Sequence, residues 1–212
     1  MADDGRQAGY LRQSALAHLG LVARAESTHA QPERGAAGVA MGERPPLSIV
    51  DLRIRDAEAA ALAAVEATLG FALPLDANKV AGTEATAALW LGPDEWWVVT
   101  AVEDPAVAHR LAEALADHAA AVTDLSESRA CIRVSGPRAR DLLAKGCSLD
   151  LHPRVFSPGC CAQSHLAKAQ VVLHQVSGAP AFDLYVLRSF ADYLWAWLED
   201  AAREYGLTIV SA

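Results

Sequence analysis

The stretch from Val122 to Leu151 reads VTDLSESRACIRVSGPRARDLLAKGCSLDL, and it decides the fold. Apolar and polar residues alternate along 129–135, which is the period of a half-buried strand. Pro137 then suits the first position of a helix, because its missing N–H would be unpaired there in any case. Apolar residues continue at helical spacing until Gly146 provides a stop. A strand therefore leads into a short helix at the midpoint of the chain, where a second structural unit begins.

The same order of predicted elements occurs on both sides of this midpoint. Residues 47–126 and 127–212 each predict strand, helix, hairpin, helix and strand, and the repeat rests on element order because the two halves share negligible identity. The predicted strands are 47–54, 86–91, 96–100, 121–125, 129–135, 163–176, 182–187 and 207–210, and the predicted helices are 57–69, 106–118, 137–145 and 189–205. The expected fold is α+β, with two similar units of antiparallel sheet, each with helices packed on one face. Residues 47–212 are expected to form one compact domain.

The first 46 residues differ in composition from the rest of the chain. An apolar segment at 10–22 is followed by a stretch rich in Ala, Gly, Pro and charge at 24–46. Such a composition, without hydrophobic periodicity, is typical of a linker. We therefore expect residues 1–46 to be an N-terminal arm, which docks on a partner, and a flexible linker.

Charge and hydropathy limit the classes of function. The 212 residues include 18 basic and 26 acidic side chains, giving a net charge of −8. This charge argues against a nucleic-acid partner and against an anionic membrane surface. The sequence contains neither an apolar run long enough to span a membrane nor a secretory segment at its start. A cytoplasmic location is the expectation.

The residues able to carry chemistry do not form a recognisable constellation. Cys160, Cys161 and His165, with His152 and His174, could be imagined as a metal cluster, but vicinal cysteines seldom both bind one zinc ion. A thiol pair at the start of a strand is the favoured interpretation. The chain has no phosphate-binding loop and no nucleophile motif. The sequence therefore predicts no catalytic, cofactor-binding or metal-binding residue on this chain.

The aromatic segments are more informative about contacts. A tight hairpin through Gly92-Pro-Asp-Glu95 would pair Leu91 with Trp96 and Trp90 with Trp97. Trp90 and Trp97 would then share one face, covered by the other half of the chain or by another subunit. A second aromatic group lies on the last helix. The candidate interface residues are Leu11, Leu16, Trp90, Trp97, Tyr193 and Trp195.

Several ordered motifs give the chain a family resemblance. Asp124-Leu-Ser126 and Ile132-Arg-Val-Ser-Gly-Pro137 resemble the folate-binding domain of glycine-cleavage aminomethyltransferases. A more specific set resembles the gamma subunit of heterotetrameric sarcosine oxidase. Its members are the stretch 136–153, Cys161-Ala-Gln163, Phe182-Asp-Leu-Tyr-Val186, Arg188-Ser-Phe190, Leu91-Gly-Pro-Asp-Glu-Trp96 and Arg12-Gln-Ser-Ala-Leu-Ala-His18. The match covers most of the chain except the linker.

The resemblance implies a role in oxidising sarcosine to glycine, with formation of hydrogen peroxide and transfer of the one-carbon unit to tetrahydrofolate. In that family FAD, covalently bound FMN and NAD are on the larger subunits and zinc is on the smallest. The resemblance thus implies a non-catalytic, structural gamma subunit that carries no cofactor and contacts alpha, beta and delta subunits.

One departure from the related transferases bears on this division of labour. Folate-using aminomethyltransferases carry an acid beside a Gly-Gly turn after the counterpart of 161–163, and that acid activates the reacting nitrogen. The matching stretch here, 165–173, has neither an acid nor Gly-Gly. Two alternatives remain open at this stage: a stand-alone folate-dependent one-carbon transferase or folate-binding protein, and an interaction domain of an unrelated complex.

Overall fold

The computed structural model of the protein describes residues 13–29, 37–83 and 85–211. In this part of the chain the helices are α1 (Leu21–His29), α2 (Ala59–Leu69), α3 (Val107–Ala114), α4 (Ala139–Ala144) and α5 (Ala191–Ala202). The strands are β1 (Val39–Glu43), β2 (Ile49–Ile54), β3 (Val80–Gly82), β4 (Thr86–Gly92), β5 (Glu95–Thr100), β6 (Ala120–Asp124), β7 (Arg129–Ser135), β8 (Cys161–Leu166), β9 (Ala169–Ser177), β10 (Ala181–Leu187) and β11 (Leu207–Ile209).

The strands form two sheets, one for each half of the chain. The N-sheet has the order β3-β4-β5-β2-β6 and is antiparallel throughout. The C-sheet has the order β11-β1-β7-β10-β9-β8, and its pairs are antiparallel except for β1 with β11. The predicted α+β fold, with two similar units of the same element order, is confirmed.

Helices cover only the outer face of each sheet. One apolar cluster joins the C-sheet to α1, α4 and α5, and a second joins the N-sheet to α2 and α3. A third cluster lies between the two inner sheet faces, where the Trp97 and Tyr185 rings meet edge to face with centroids 6.2 Å apart. The layer order is therefore helices, sheet, sheet, helices.

The strand–helix unit at the midpoint forms as its sequence predicts. Ala130 and Ile132 on β7 point into the helix-covered cluster, and Cys131 between them points into the cluster that separates the sheets. Gly136 follows with a φ of 109°, and a Cβ there would lie 2.6 Å from the carbonyl oxygen of Gly38. Glycine is thus required at this turn by both its φ and the close backbone approach.

The register of the first hairpin differs from the predicted one. Trp90 pairs with Trp96 and Leu89 with Trp97, because a β-bulge at Leu91 shifts the pairing by one residue before Gly92 meets Glu95. Trp90 therefore faces the helices with Trp96, whereas Trp97 faces the other sheet. The prediction that Trp90 and Trp97 share a face is wrong.

The predicted linker also needs correction. Residues 21–29 form helix α1, and β1 lies inside the C-sheet between β7 and β11. Val39 and Met41 of β1 are fully buried. Although this segment shows no periodicity, pairing on both sides and burial of its apolar residues stabilise it as a strand. Of the predicted arm and linker, residues 1–12 and 30–36 lie outside the described residues.

Two smaller differences concern the ends of elements. The predicted strand 163–176 is a hairpin of β8 and β9, and Ala167 at its turn has a φ of 53°. Asp56 has a φ of 55° in a short turn before α2, and no side chain caps this helix, which begins at Ala59 rather than at residue 57. At β8 the two sheets also meet, since the Cys161 N–H donates to the Asn78 carbonyl oxygen and the Val80 N–H to that of Gly159.

Candidate functional site

Most of the aromatic and apolar interface candidates lie inside this chain. Leu16, Trp97 and Trp195 are 0%, 6% and 1% exposed, because the C-sheet with α5, or the opposite sheet, covers them. The prediction that these three residues contact another subunit is therefore corrected, because the folded chain leaves them almost no free surface. Trp90 is partly buried against the N-sheet cluster, and Leu11 lies outside the described residues.

Tyr193 is the candidate that the structure places on the surface, and it has two apolar neighbours there. Leu187, Phe190 and Tyr193 are 39%, 42% and 38% exposed and lie within seven consecutive residues, from the end of β10 to the first turn of α5. We call these three residues the α5 patch. The other large apolar side chains exposed on the described surface lie singly on separate segments. Single exposed residues are ordinary, whereas a group is characteristic of a binding surface.

Polar groups around the α5 patch are already paired. His18 Nε2 lies 2.9 Å from Asp192 Oδ1, and Arg188 donates to the Gln13 carbonyl oxygen. The Lys168 N–H donates to the Tyr193 hydroxyl at 3.3 Å. An apolar centre within a polar rim is the usual anatomy of a protein–protein interface. The α5 patch is therefore the candidate contact surface of this chain.

A second feature is a cleft between the inner faces of the two sheets. It encloses about 750 Å³ and is open to solvent. On one wall are residues 80–83 and 85–87 of the N-sheet, and the other wall includes His174, Asp183 and Tyr185 of the C-sheet. Arg44, from the loop between β1 and β2, also lines it. We call this space the intersheet cleft.

The one ion pair in the described lining of this cleft is formed by Arg133 and Asp183. Arg133 and Asp183 lie opposite each other on β7 and β10, with Nε–Oδ1 and NH2–Oδ2 distances that are both 2.7 Å. This bidentate contact raises the pKa of Arg133. Because the guanidinium fork and the carboxylate use each other fully, this pair is structural rather than available to a ligand.

Two other polar side chains that line the cleft, Arg44 and His174, each have one nitrogen without a hydrogen-bond partner among the described residues. Arg44 NH2 donates to the Ala101 carbonyl oxygen at 3.3 Å, while its Nε has no hydrogen-bond partner. Nδ1 of His174 is likewise buried without a partner. Burial lowers the pKa of His174, so the ring is neutral near pH 7. Burial also raises the pKa of the Tyr185 hydroxyl well above its ordinary value, which keeps it protonated.

The vicinal cysteines at the start of β8 have opposite environments. Burial disfavours the Cys160 thiolate, but Ser157 and the Lys79 ammonium, 3.7 Å from Sγ, outweigh it and lower the pKa of this thiol. Burial raises the pKa of Cys161 to about 12. Within the described residues no group of three or more His, Cys, Asp and Glu side chains is arranged to hold a metal ion. His152, His165 and these two thiols are thus not brought together.

Comparison with solved structures places this arrangement in a fold class. The glycine cleavage system aminomethyltransferase T from Bartonella henselae superposes with a TM-score of 0.67 over 94% of this chain and 59% of its own, at 14% identity. A chain of the heterotetrameric sarcosine oxidase from Corynebacterium sp. U-96, in complex with pyrrole 2-carboxylate, superposes with a TM-score of 0.81. That match has 33% identity and covers 92% of this chain and 96% of the other. The fold is thus that of the folate-binding domain of aminomethyltransferases.

Sequence comparison narrows the class to one family. The family model described as "Sarcosine oxidase, gamma subunit family" matches residues 53–204. Sarcosine oxidase subunit gamma of Corynebacterium sp. (strain P-1) is 38% identical over 144 residues, which are 68% of this chain and 70% of that protein. The subunit gamma of Corynebacterium sp. (strain U-96) is 37% identical over 150 residues, 70% and 72% of the two chains. The protein belongs to the sarcosine oxidase gamma subunit family.

The sequence indicates only some of the residues that form the α5 patch and the intersheet cleft. The cluster of aromatic residues on the last helix indicates Tyr193, whereas Phe190 is not among the residues predicted for the interface. Leu187 ends an apolar strand and gave no sign of exposure. Arg44 and His174 carry no motif, and only the closeness of the two sheets brings them to one cleft.

No helix of the described residues is long and apolar enough to cross a membrane.

Proposed function

We propose that this chain is a structural, non-catalytic gamma subunit of a cytoplasmic heterotetrameric sarcosine oxidase. In this proposal alpha, beta and delta subunits are its partners, and they hold the FAD, FMN, NAD and zinc. The complex oxidises sarcosine to glycine, forms hydrogen peroxide and passes the one-carbon unit to tetrahydrofolate. Family membership over residues 53–204 is the observation that carries the proposal.

The β8–β9 hairpin supports the absence of independent folate chemistry. This hairpin turns at Ala167 and Lys168, and the stretch 165–173, which by resemblance matches the Gly-Gly region of the folate enzymes, contains neither Gly-Gly nor a carboxylate. A carboxylate is the group that would deprotonate or polarise a reacting nitrogen at this position. The purified chain should therefore neither carry a flavin spectrum nor turn over sarcosine, and titration with tetrahydrofolate should give no saturable one-carbon transfer.

The α5 patch is the surface that we assign to subunit contact. Phe190 and Tyr193 lie three residues apart at the start of α5, so their rings can enter one partner surface together. Large aromatic residues in a partly dried centre contribute most of the binding energy of many interfaces. The three exposed apolar residues of the patch would then be covered on assembly.

Co-expression with the other three subunits tests this assignment. Phe190→Ser and Tyr193→Ser should reduce recovery of the complex, with a loss of about tenfold or more in affinity for the double variant. Val102→Ser, at a single valine that is 71% exposed, is the matched control and should assemble normally. Equal assembly of the patch variants and the control would contradict the contact surface. Failure of the wild-type chain to copurify with flavin-bearing chains would contradict the proposed function itself.

A further inference from the structure

The intersheet cleft combines a volume of ligand size with polar side chains that retain unused hydrogen-bonding capacity. Its volume of about 750 Å³ lies within the range of roughly 300–1,000 Å³ that is usual for small-molecule sites. Apolar side chains, including Val80, Val99 and the ring of Tyr185, make up much of its lining. A cleft of this kind can cover the body of a small organic molecule, while a few polar groups fix its orientation.

The charge in this cleft is unbalanced in favour of an anion. Arg133 and Asp183 neutralise each other, and His174 is neutral, so the remaining formal charge in the described lining is that of Arg44. The hydrogen bond from Arg44 to the Ala101 carbonyl oxygen uses one of the five N–H donors of this side chain, which leaves most of them without a partner in the described part of the chain.

Tyr185 adds a second donor to the same space. Its hydroxyl is protonated near pH 7 and makes no hydrogen bond to a described residue. Arg44 is close enough to Tyr185 to influence the ionisation of that hydroxyl. A guanidinium and a neutral hydroxyl donor are well suited to the two oxygens of one carboxylate.

We propose that the intersheet cleft binds a small organic carboxylate, with Arg44 and Tyr185 holding the carboxylate group. His174 contacts the body of the ligand, and the apolar walls of the cleft enclose it. This site is separate from the α5 patch, and its existence does not depend on the proposed function.

Binding of benzoate to the purified full-length chain tests the proposal by calorimetry and by ligand-observed NMR. Benzoate should bind saturably, and benzamide, a neutral molecule of the same shape, should not. Arg44→Met should weaken benzoate binding by about tenfold, since a hydrogen bond to a charged group is lost. Arg154→Met removes an exposed arginine that does not line the cleft, and it should bind like the wild type.

A second variant keeps the test decisive if Arg44→Met fails to fold. Tyr185→Phe preserves the ring that meets Trp97, so it should fold and bind benzoate more weakly than the wild type. Equal binding of benzoate and benzamide, or unchanged affinity in both Arg44→Met and Tyr185→Phe, would overturn the carboxylate site. Binding to the free chain that disappears in the assembled complex would also overturn it, and would assign the cleft to an acidic side chain of a partner subunit.

Discussion

The two sheets are built from the same order of elements, yet the first and last strands of each unit are paired differently. In the N-sheet, β6 pairs directly with β2, and every strand comes from residues 49–124. In the C-sheet the corresponding strands, β11 and β7, are separated by β1, which comes from before the first unit. The N-sheet is thus self-contained, whereas the C-sheet depends on a segment that a division at the midpoint assigns elsewhere. A repeat of element order does not imply two independently stable halves.

The largest effect is expected from removing the inserted strand. Deletion of residues 1–46 takes away Val39 and Met41 from the C-sheet core and leaves β7 and β11 without their shared neighbour. The loss should exceed about 4–5 kcal/mol, enough to prevent folding of the C-sheet. Thermal unfolding and amide exchange of the purified chain measure it, with deletion of residues 1–12 as the control. Persistent protection of β7 amides in the longer deletion would show that β1 is dispensable.

The contact between the sheets provides the next comparison. Trp97→Ala should destabilise the chain by about 3–5 kcal/mol, because Trp97 fills the layer that joins the sheets and packs on Tyr185. Trp90→Ala, on the helix-covered face and only partly buried, should cost clearly less. Denaturant unfolding of the two variants measures the difference. Similar costs for both would indicate that the bulge-shifted register is incorrect.

The two sheets also carry equivalent cross-strand ion pairs in different surroundings. Arg133 and Asp183 oppose each other on the C-sheet, and Asp183 is almost fully buried. Arg53 and Glu95 oppose each other on the N-sheet, where the Arg53 side chain is 55% exposed. Asp183→Asn should therefore cost up to about 3 kcal/mol, as a partly buried guanidinium loses its partner. Glu95→Gln should leave the unfolding midpoint nearly unchanged, and a reversed order of the two would contradict this reading.

The smallest effect concerns pH. Burial lowers the pKa of His174 below its ordinary value of 6.5, although Asp183 opposes this and Arg133 adds to it. Below pH 6.5, and down to the folded pKa, the unfolded chain binds this proton more readily than the folded chain. The free energy of unfolding should therefore fall as the pH decreases through this range. His174→Gln should flatten this slope in unfolding curves recorded between pH 7 and pH 5. An unchanged slope would remove His174 as its source.

The N-sheet supplies a contrast of opposite sign for this measurement. Burial, and then the nearby Asp51 carboxylate, raise the pKa of Glu95 above its ordinary value of 4.5. From that value up to the raised pKa, the folded chain holds the proton better than the unfolded chain, so stability decreases as the pH rises. Glu95→Gln should remove this part of the pH dependence and leave the contribution of His174 intact.

Features that depend on interactions between residues close in sequence could be predicted, whereas features that depend on distant residues could not. The alternation along β7 and the turn at Gly136-Pro137 are local, and both were placed correctly. β1 was missed because its five residues are stabilised by neighbours at the far end of the chain, Leu207 and Ile209 among them. The β-bulge at Leu91 was missed for a related reason, since it satisfies packing on both faces of the N-sheet at once.

The candidate sites show the same limit. The aromatic cluster on the last helix pointed to Tyr193, but helical spacing alone could not say that Phe190 lies outside the buried stripe. The intersheet cleft was beyond sequence reasoning, because its residues come from β3–β5, β7, β9, β10 and several loops. Only the packing of one sheet on the other brings Arg44 to the same space as Tyr185.

The position of β1 also sets an order of events during translation. Residues 49–124 contain every strand of the N-sheet, so that sheet can form while the ribosome is still producing the second half. β1 leaves the ribosome earlier than any of them, yet its partner strand β11 at 207–209 follows every other described strand. The nascent chain must therefore hold this apolar strand without a partner until β7 emerges, and with its other edge unpaired until β11 emerges. Its exposure to chaperones and to aggregation should be greatest in that interval.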